Sequence, residues 1–177
     1  ADLAFMLRGA RQAALRADGG SVSGQPLFQR VESVKQISTA AFKRWFGASK
    51  VVDKQGAPKI LYHGTGEDFT SFDQGRSGSS TRHSTAPLGI FMTGDRDTAQ
   101  AYADKASDGM PGYARVMQLY AAIRNPYLMS VAESQAIDSP GEAVAFRAKL
   151  EREGYDGINL KGTDTWIAFS NTQMKSA

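Results

Sequence analysis

The stretch Lys59-Ile60-Leu61-Tyr62-His63-Gly64-Thr65-Gly66 constrains the fold more than any other. Aliphatic and aromatic residues favour a strand, and here they run straight into an imidazole and two glycines separated by a hydroxyl residue. The expected element is a short buried strand over 59–63 whose carboxyl end presents His63, opening into a loop with little side-chain bulk. Glycine in such a loop lets backbone approach a ligand closely. A histidine at this junction is equally well a packed or turn residue, so the rest of the chain has to separate the two readings.

A chain of 177 residues suits one domain with some decoration, long enough to bury a full core. Eighteen glycines against six prolines point to many turns and a loop-rich fold rather than a helical bundle. Cysteine is absent, which excludes disulfides, thiolate metal sites and cysteine nucleophiles together. No run of eighteen apolar residues offers a membrane-spanning helix, and residues 1–6 lack the basic leader and apolar core of a signal peptide. Starting at Ala1 without an initiator Met, the sequence reads as a domain cut from a longer protein. Charge is uneven: residues 1–58 carry nine Lys and Arg against four Asp and Glu, the remainder twelve against fourteen. The basic character therefore sits away from His63, which gives little support for a nucleic-acid groove at that site.

Along the chain, residues 2–17 have the apolar stripe of a helix, weakened by Gly9 and ended by a Gly/Ser-rich linker through Gly24. A second helix is expected over 39–47, with Ser38 or Thr39 as cap and Phe42, Trp45 and Phe46 as core anchors. Lys43, Arg44 and Lys50 beside those rings offer a secondary reading as a nucleic-acid surface. An edge strand and turn over 51–58 feed the central strand. The polar, glycine-rich stretch 64–87 is long for a compact domain, and residues 74–87 suit a lid or anion-contacting loop. Strands are expected at 88–93, 113–123 and 166–169, with a turn into a strand over 154–160 and helices at 98–106 and 141–152 between them. Asn125-Pro126 ends the second of these strands. Strands and isolated helices without regular crossover spacing make the fold class α+β.

Several chemistries have no motif to carry them. There is neither a phosphate loop ending in Gly-Lys-Ser/Thr nor a dinucleotide fingerprint entering a helix. With His63 and His83 as the two histidines, a structural zinc site is not expected. Ser79 and Ser80 lack a nucleophile elbow, and the aspartates lack calcium-loop spacing.

Taken in order, the motifs resemble the ADP-ribosyltransferase superfamily, in its His-Tyr-Glu branch that includes the poly-ADP-ribose polymerases and diphtheria toxin. Leu61-Tyr62-His63-Gly64-Thr65 is similar to the first-strand motif, aromatic-His-Gly-Ser/Thr. Leu88-Gly89-Ile90-Phe91-Met92-Thr93 is similar to Gly-Ile-Tyr-Phe, with Phe91 in the place of the triad tyrosine, and Tyr102 falls where the family keeps a second aromatic. The closing Trp166-Ile167-Ala168-Phe169 and the tail Gln173-Met174-Lys175-Ser176-Ala177 complete the series. Residues 42–65 and the Lys-Ser-Ala ending most resemble the ADP-ribosyltransferase domains of phage and mobile-element polyvalent proteins and bacterial effectors.

This resemblance implies a split two-sheet core with peripheral helices and NAD in the cleft between the sheets. Residues 1–24 would be a helical leader and linker, 25–58 a helical extension packed on the core, and 59–177 the catalytic core. His63 would hydrogen-bond the nicotinamide ribose, Gly64 and Thr65 would receive the carboxamide, and Phe91 and Tyr102 would sandwich the ring. Arg76 or Arg82 would meet the pyrophosphate. One slot departs from the family: its catalytic glutamate immediately precedes the closing aromatic-aliphatic strand, where this chain has Thr165, with Asp164 one position earlier. Strand alternation aims Asp164 away from the cleft unless a bulge intervenes; a loop carboxylate such as Glu67 is another substitute. The implied activity is NAD-dependent mono-ADP-ribosylation of a macromolecular acceptor, protein rather than nucleic acid, by a toxin or effector domain of a larger phage or secreted protein. It would act in the cytoplasm of the producing or target cell, with a cognate immunity or antitoxin protein as a further partner. A weakly active binding module and a nucleic-acid modifier are the alternatives.

Overall fold

The computed structural model describes residues 35–66, 83–107 and 114–177. The helix expected over 2–17, its linker, and Glu67, Arg76 and Arg82 lie outside the described residues.

Among the described residues, seven strands form one mixed sheet: β1 (Leu61–Thr65), β2 (Ile90–Thr93), β3 (Arg115–Ala121), β4 (Pro126–Met129), β5 (Gly157–Leu160), β6 (Thr165–Ala168) and β7 (Met174–Ser176). Their spatial order is β4-β5-β6-β2-β1-β3-β7, and β4–β5 is the parallel pair. Within this order are two well-laddered halves. β6 pairs β2 through four registered residues, and β1 pairs β3 through five. Between β1 and β2, in the middle, one registered pair joins the halves: Tyr62 opposite Thr93. The expected α+β class with a split core is thus found as four strands and three strands meeting at a narrow seam.

Packing holds those halves together. Leu61, Leu119, Ala121 and Ile123 from the β1–β3 side share one buried cluster with Ile90, Met92 and Ala168 from the β2–β6 side. Burying each Leu, Ile or Met contributes about 1.5–3 kcal/mol, against about 1 kcal/mol for a typical hydrogen bond. Cohesion across the seam is therefore mainly hydrophobic. On the opposite face, Phe91, Tyr102, Ile158, Leu160 and Ile167 pack with Ala143 and Leu150.

Among the described residues, four complete helices surround the sheet: α1 (Ala40–Phe46), α2 (Arg96–Ala106), α3 (Val131–Gln135) and α4 (Pro140–Arg152). Each begins with a side-chain cap. Thr39 Oγ1 accepts from the Phe42 amide at 3.1 Å, and Asp95, Ser130 and Ser139 do the same for α2, α3 and α4. Phe42 and Phe46 are buried against Tyr120 of β3. Trp45 donates to the Thr172 carbonyl at 3.0 Å and carries the Lys175 ammonium over its ring. The three aromatics of α1 are thus engaged within the fold.

Some expectations need correction. Of the edge strand and turn expected over 51–58, the turn is found and the strand shrinks to one bridge, Val52 to Pro58, because the Asp53 carboxylate accepts from the amides of Gln55 and Ala57 at 2.9 Å each. The first central strand lies two residues later than expected, so His63 stands mid-strand. Pro126 does not simply end a strand: it opens β4, an edge position where its missing N–H is tolerated. Residues 83–87 form a turn and the start of a 3-10 helix (Ala86–Leu88), pinned where Ser84 Oγ donates to the Ile137 carbonyl at 2.7 Å.

Candidate active site at the sheet seam

Beyond the Tyr62–Thr93 pair the next contact across the seam comes from a side chain. His63 Nδ1 lies 2.7 Å from the Phe91 carbonyl oxygen. A carbonyl can only accept, so Nδ1 carries the proton, and in the neutral ring Nε2 is the acceptor nitrogen. Burial pushes the His63 pKa below its ordinary value, opposed by the bond to Phe91. The ring is therefore neutral at pH 7 and fixed in one tautomer.

α2 closes the same place from the side. A Cβ on Gly64 would come 1.9 Å from the Ala99 carbonyl oxygen and 2.9 Å from the Tyr102 Cβ. Glycine is needed at 64 because the helix backbone occupies the space of its side chain. This contact seats Tyr102 against β1 at Gly64, on the face opposite the one His63 shares with Leu61. Tyr102 and Phe91 are each 6% exposed and belong to one cluster. Phe91, Gly64 and Tyr102 thus meet at the seam from three separate elements, and His63 reaches the Phe91 backbone from the neighbouring position of β1. Thr65 ends β1, buried opposite Arg115.

The two candidates at the start of β6 part company. Thr165 sits opposite Thr93 on the face that carries Phe91 and Ile167, and it is 1% exposed. Its backbone is held by Thr163 Oγ1 and by Asn159 Nδ2, each at 3.1 Å. Asp164 turns to the other face. There its carboxylate forms an ion pair with Lys59 and receives the Trp166 indole N–H at 3.4 Å.

A family model described as ADP-ribosyltransferase in polyvalent proteins matches residues 53–177. The chain belongs to that family. No curated protein and no solved structure matches it.

In this ADP-ribosyltransferase, a transferase by family, the seam is where the matched region brings its first, second and closing strands together. Sequence reasoning did not reach Lys59 or Gly94. Lys59 meets Asp164 from 105 positions away, and no local pattern announces a contact of that span. Gly94 had a usable signal, since glycine directly after a strand marks a turn or a close approach. A Cβ there would lie 1.7 Å from Asp164 Oδ2.

Proposed function

We propose that this domain transfers ADP-ribose from NAD to a macromolecular acceptor, in the manner of a mono-ADP-ribosyltransferase effector. Family membership supports the reaction class, and the observation that carries the site assignment is the His63 imidazole held against the Phe91 carbonyl, with the adjoining Gly64 packed on Tyr102. In this reading NAD is consumed. The bond between the nicotinamide nitrogen and ribose C1′ breaks, with its electron pair leaving on nicotinamide. A nucleophilic atom of the acceptor bonds to C1′ and releases its proton to solvent. Such a step develops positive charge on the ribose, so the protein's work is to orient the sugar and clamp the departing ring.

The residues present fit that task in part. His63 offers an acceptor nitrogen of the polarity a ribose hydroxyl needs. Phe91 and Tyr102 supply aromatic faces; both rings are packed in the core, so nicotinamide entering between them would have to part them. Gly64 and Thr65 would provide backbone or hydroxyl partners for the carboxamide, and Arg76 or Arg82 would reach the pyrophosphate. The acceptor we favour is a protein: the aromatic rings of α1 that suggested base stacking are engaged within the fold.

A second reading, a binding module with little turnover, is favoured by one observation. At the start of β6 the residue on the Phe91 face is Thr165, which carries no charge, and the neighbouring carboxylate of Asp164 is matched by Lys59 on the other face. Incubation with labelled NAD and cell lysate separates the readings. The transferase reading expects label on protein that survives nuclease treatment, together with nicotinamide release, both reduced in His63→Ala. Wild-type labelling and release no greater than the variant's would reject it, and NAD binding without release would establish the second reading. Label removed by nuclease would move the acceptor to nucleic acid.

A further inference from the structure

We infer that Lys59 and Asp164 are positioning residues: their ion pair, spanning from the start of β1 to the start of β6, sets the angle at which the seam holds His63 against Phe91. The argument begins with what the seam lacks. One registered pair, Tyr62–Thr93, joins the half-sheets along the backbone, and one pair is a pivot rather than a ladder. The hydrophobic cluster beneath it supplies cohesion, but that force is non-directional. It resists separation of the halves. The Asp156 carboxylate, accepting from the Arg124 and Asn125 amides, and Gln173 Nε2, donating to the Ala122 and Asp156 carbonyls, tie them at a distance. The local inclination beside His63 therefore rests on the contacts at the seam itself.

Two directional contacts flank the pivot. Three residues before Tyr62, Lys59 pairs with Asp164, reaching past the end of β2 to β6. One residue after Tyr62, His63 bonds the Phe91 carbonyl. A strand pinned on one side of a pivot has its direction fixed on the other. The Asp164 end is itself well anchored. Its backbone carbonyl accepts from the Gly94 amide at 2.9 Å, and Trp166 Nε1 donates to its Oδ1. Gly94 leaves room for the pair, since a Cβ there would also stand 3.0 Å from Lys59 Nζ. With side chains 31% and 42% exposed, such a pair contributes little to overall stability. Its directional effect is what the geometry singles out.

The functional meaning of this clamp rests on the transferase reading above; its structural content does not, and the test separates the two. In the full chain, nitrogen–proton correlation spectra of the imidazoles report the tautomer and the hydrogen-bonded Nδ1 proton, and His63 has one other histidine, His83, to be distinguished from. Lys59→Met and Asp164→Asn are expected to weaken or lose the Nδ1–H signature of His63, while Lys59→Arg retains it. Nicotinamide release should fall about tenfold or more in the first two and recover in the third, as misplacement of an orienting group predicts. Should either variant fail to fold, Lys59→Gln removes the charge at similar chain length and is read the same way. An unchanged His63 signature without the ion pair would overturn the inference. If wild type releases no nicotinamide, the transferase reading fails while the spectra still decide the clamp.

Discussion

Gly94 and Asp164 occupy adjoining space so tightly that a single methyl at 94 would stand 1.7 Å from the Asp164 carboxylate. The obstructing atom is the end of a short side chain, so it can turn aside, at the cost of its bond to Lys59. Gly94→Ala should therefore fold, with a loss of about 1 kcal/mol, at the low end for overpacking. In an Asp164→Ala background the same substitution should cost close to nothing. Urea unfolding of the four chains gives the coupling, and additive losses would show that Gly94 serves something other than Asp164.

Gly64 faces a harder neighbour. Its missing Cβ is replaced by the backbone of α2, with the Ala99 carbonyl at 1.9 Å and the Ala103 nitrogen at 2.8 Å. A helix backbone cannot turn aside as a carboxylate can. Gly64→Ala should thus cost more than Gly94→Ala, about 3 kcal/mol, at the upper end for overpacked sites. It should also displace Tyr102 from the seam. Equal unfolding midpoints for the two alanine variants would contradict this ranking.

The contrast between these glycines shows what was legible in the chain. Motif order along residues 61–65, 88–93 and 166–177 placed the strands that meet at the seam, because side-chain type and spacing carry that information. The partner of His63 did not appear, since it is a backbone carbonyl and every residue has one. Lys59 and Asp164 look like ordinary surface charges until the sheet order brings β1 and β6 to either side of β2. β4 and α3, with four and five residues, are too short to show a periodicity. Val51 and Val52 suggest an edge strand ahead of the turn, but the carboxylate of Asp53 organises the segment as a turn almost throughout.

At the far edge of the sheet, Ser130 and Glu133 form a capping box for α3, and Tyr127 adds its hydroxyl to the same carboxylate. The Ser130 hydroxyl and the Tyr127 hydroxyl, with the Ser130 amide, hold the Glu133 pKa down at about 2. A carboxylate depressed in the folded state stabilises above its ordinary pKa of 4.5 and loses that contribution as pH falls towards about 2. Ser130→Ala should cost about 1 kcal/mol at neutral pH, the usual value of a cap, and that deficit should shrink on acidification through this window. Thermal melts at neutral and strongly acidic pH give both quantities. Nicotinamide release, seated at the seam, should be unaffected.

The seam histidine should give a slope of the same sign in a higher pH window. Burial lowers the His63 pKa in the folded state, so below the ordinary value of 6.5 the unfolded chain takes up a proton that the folded chain refuses. The unfolded state then binds more protons, and stability falls as pH drops below 6.5; above that value His63 contributes no slope. Glutamine is the informative replacement, because its amide can donate to the Phe91 carbonyl yet does not titrate. Between about pH 7.5 and pH 5.5, the denaturant midpoint should drop more in wild type than in His63→Gln, with His83 and the carboxylates common to both chains. Parallel curves would mean that the imidazole protonates as readily in the fold as outside it. That outcome would remove the neutral, single-tautomer ring on which the ribose contact depends.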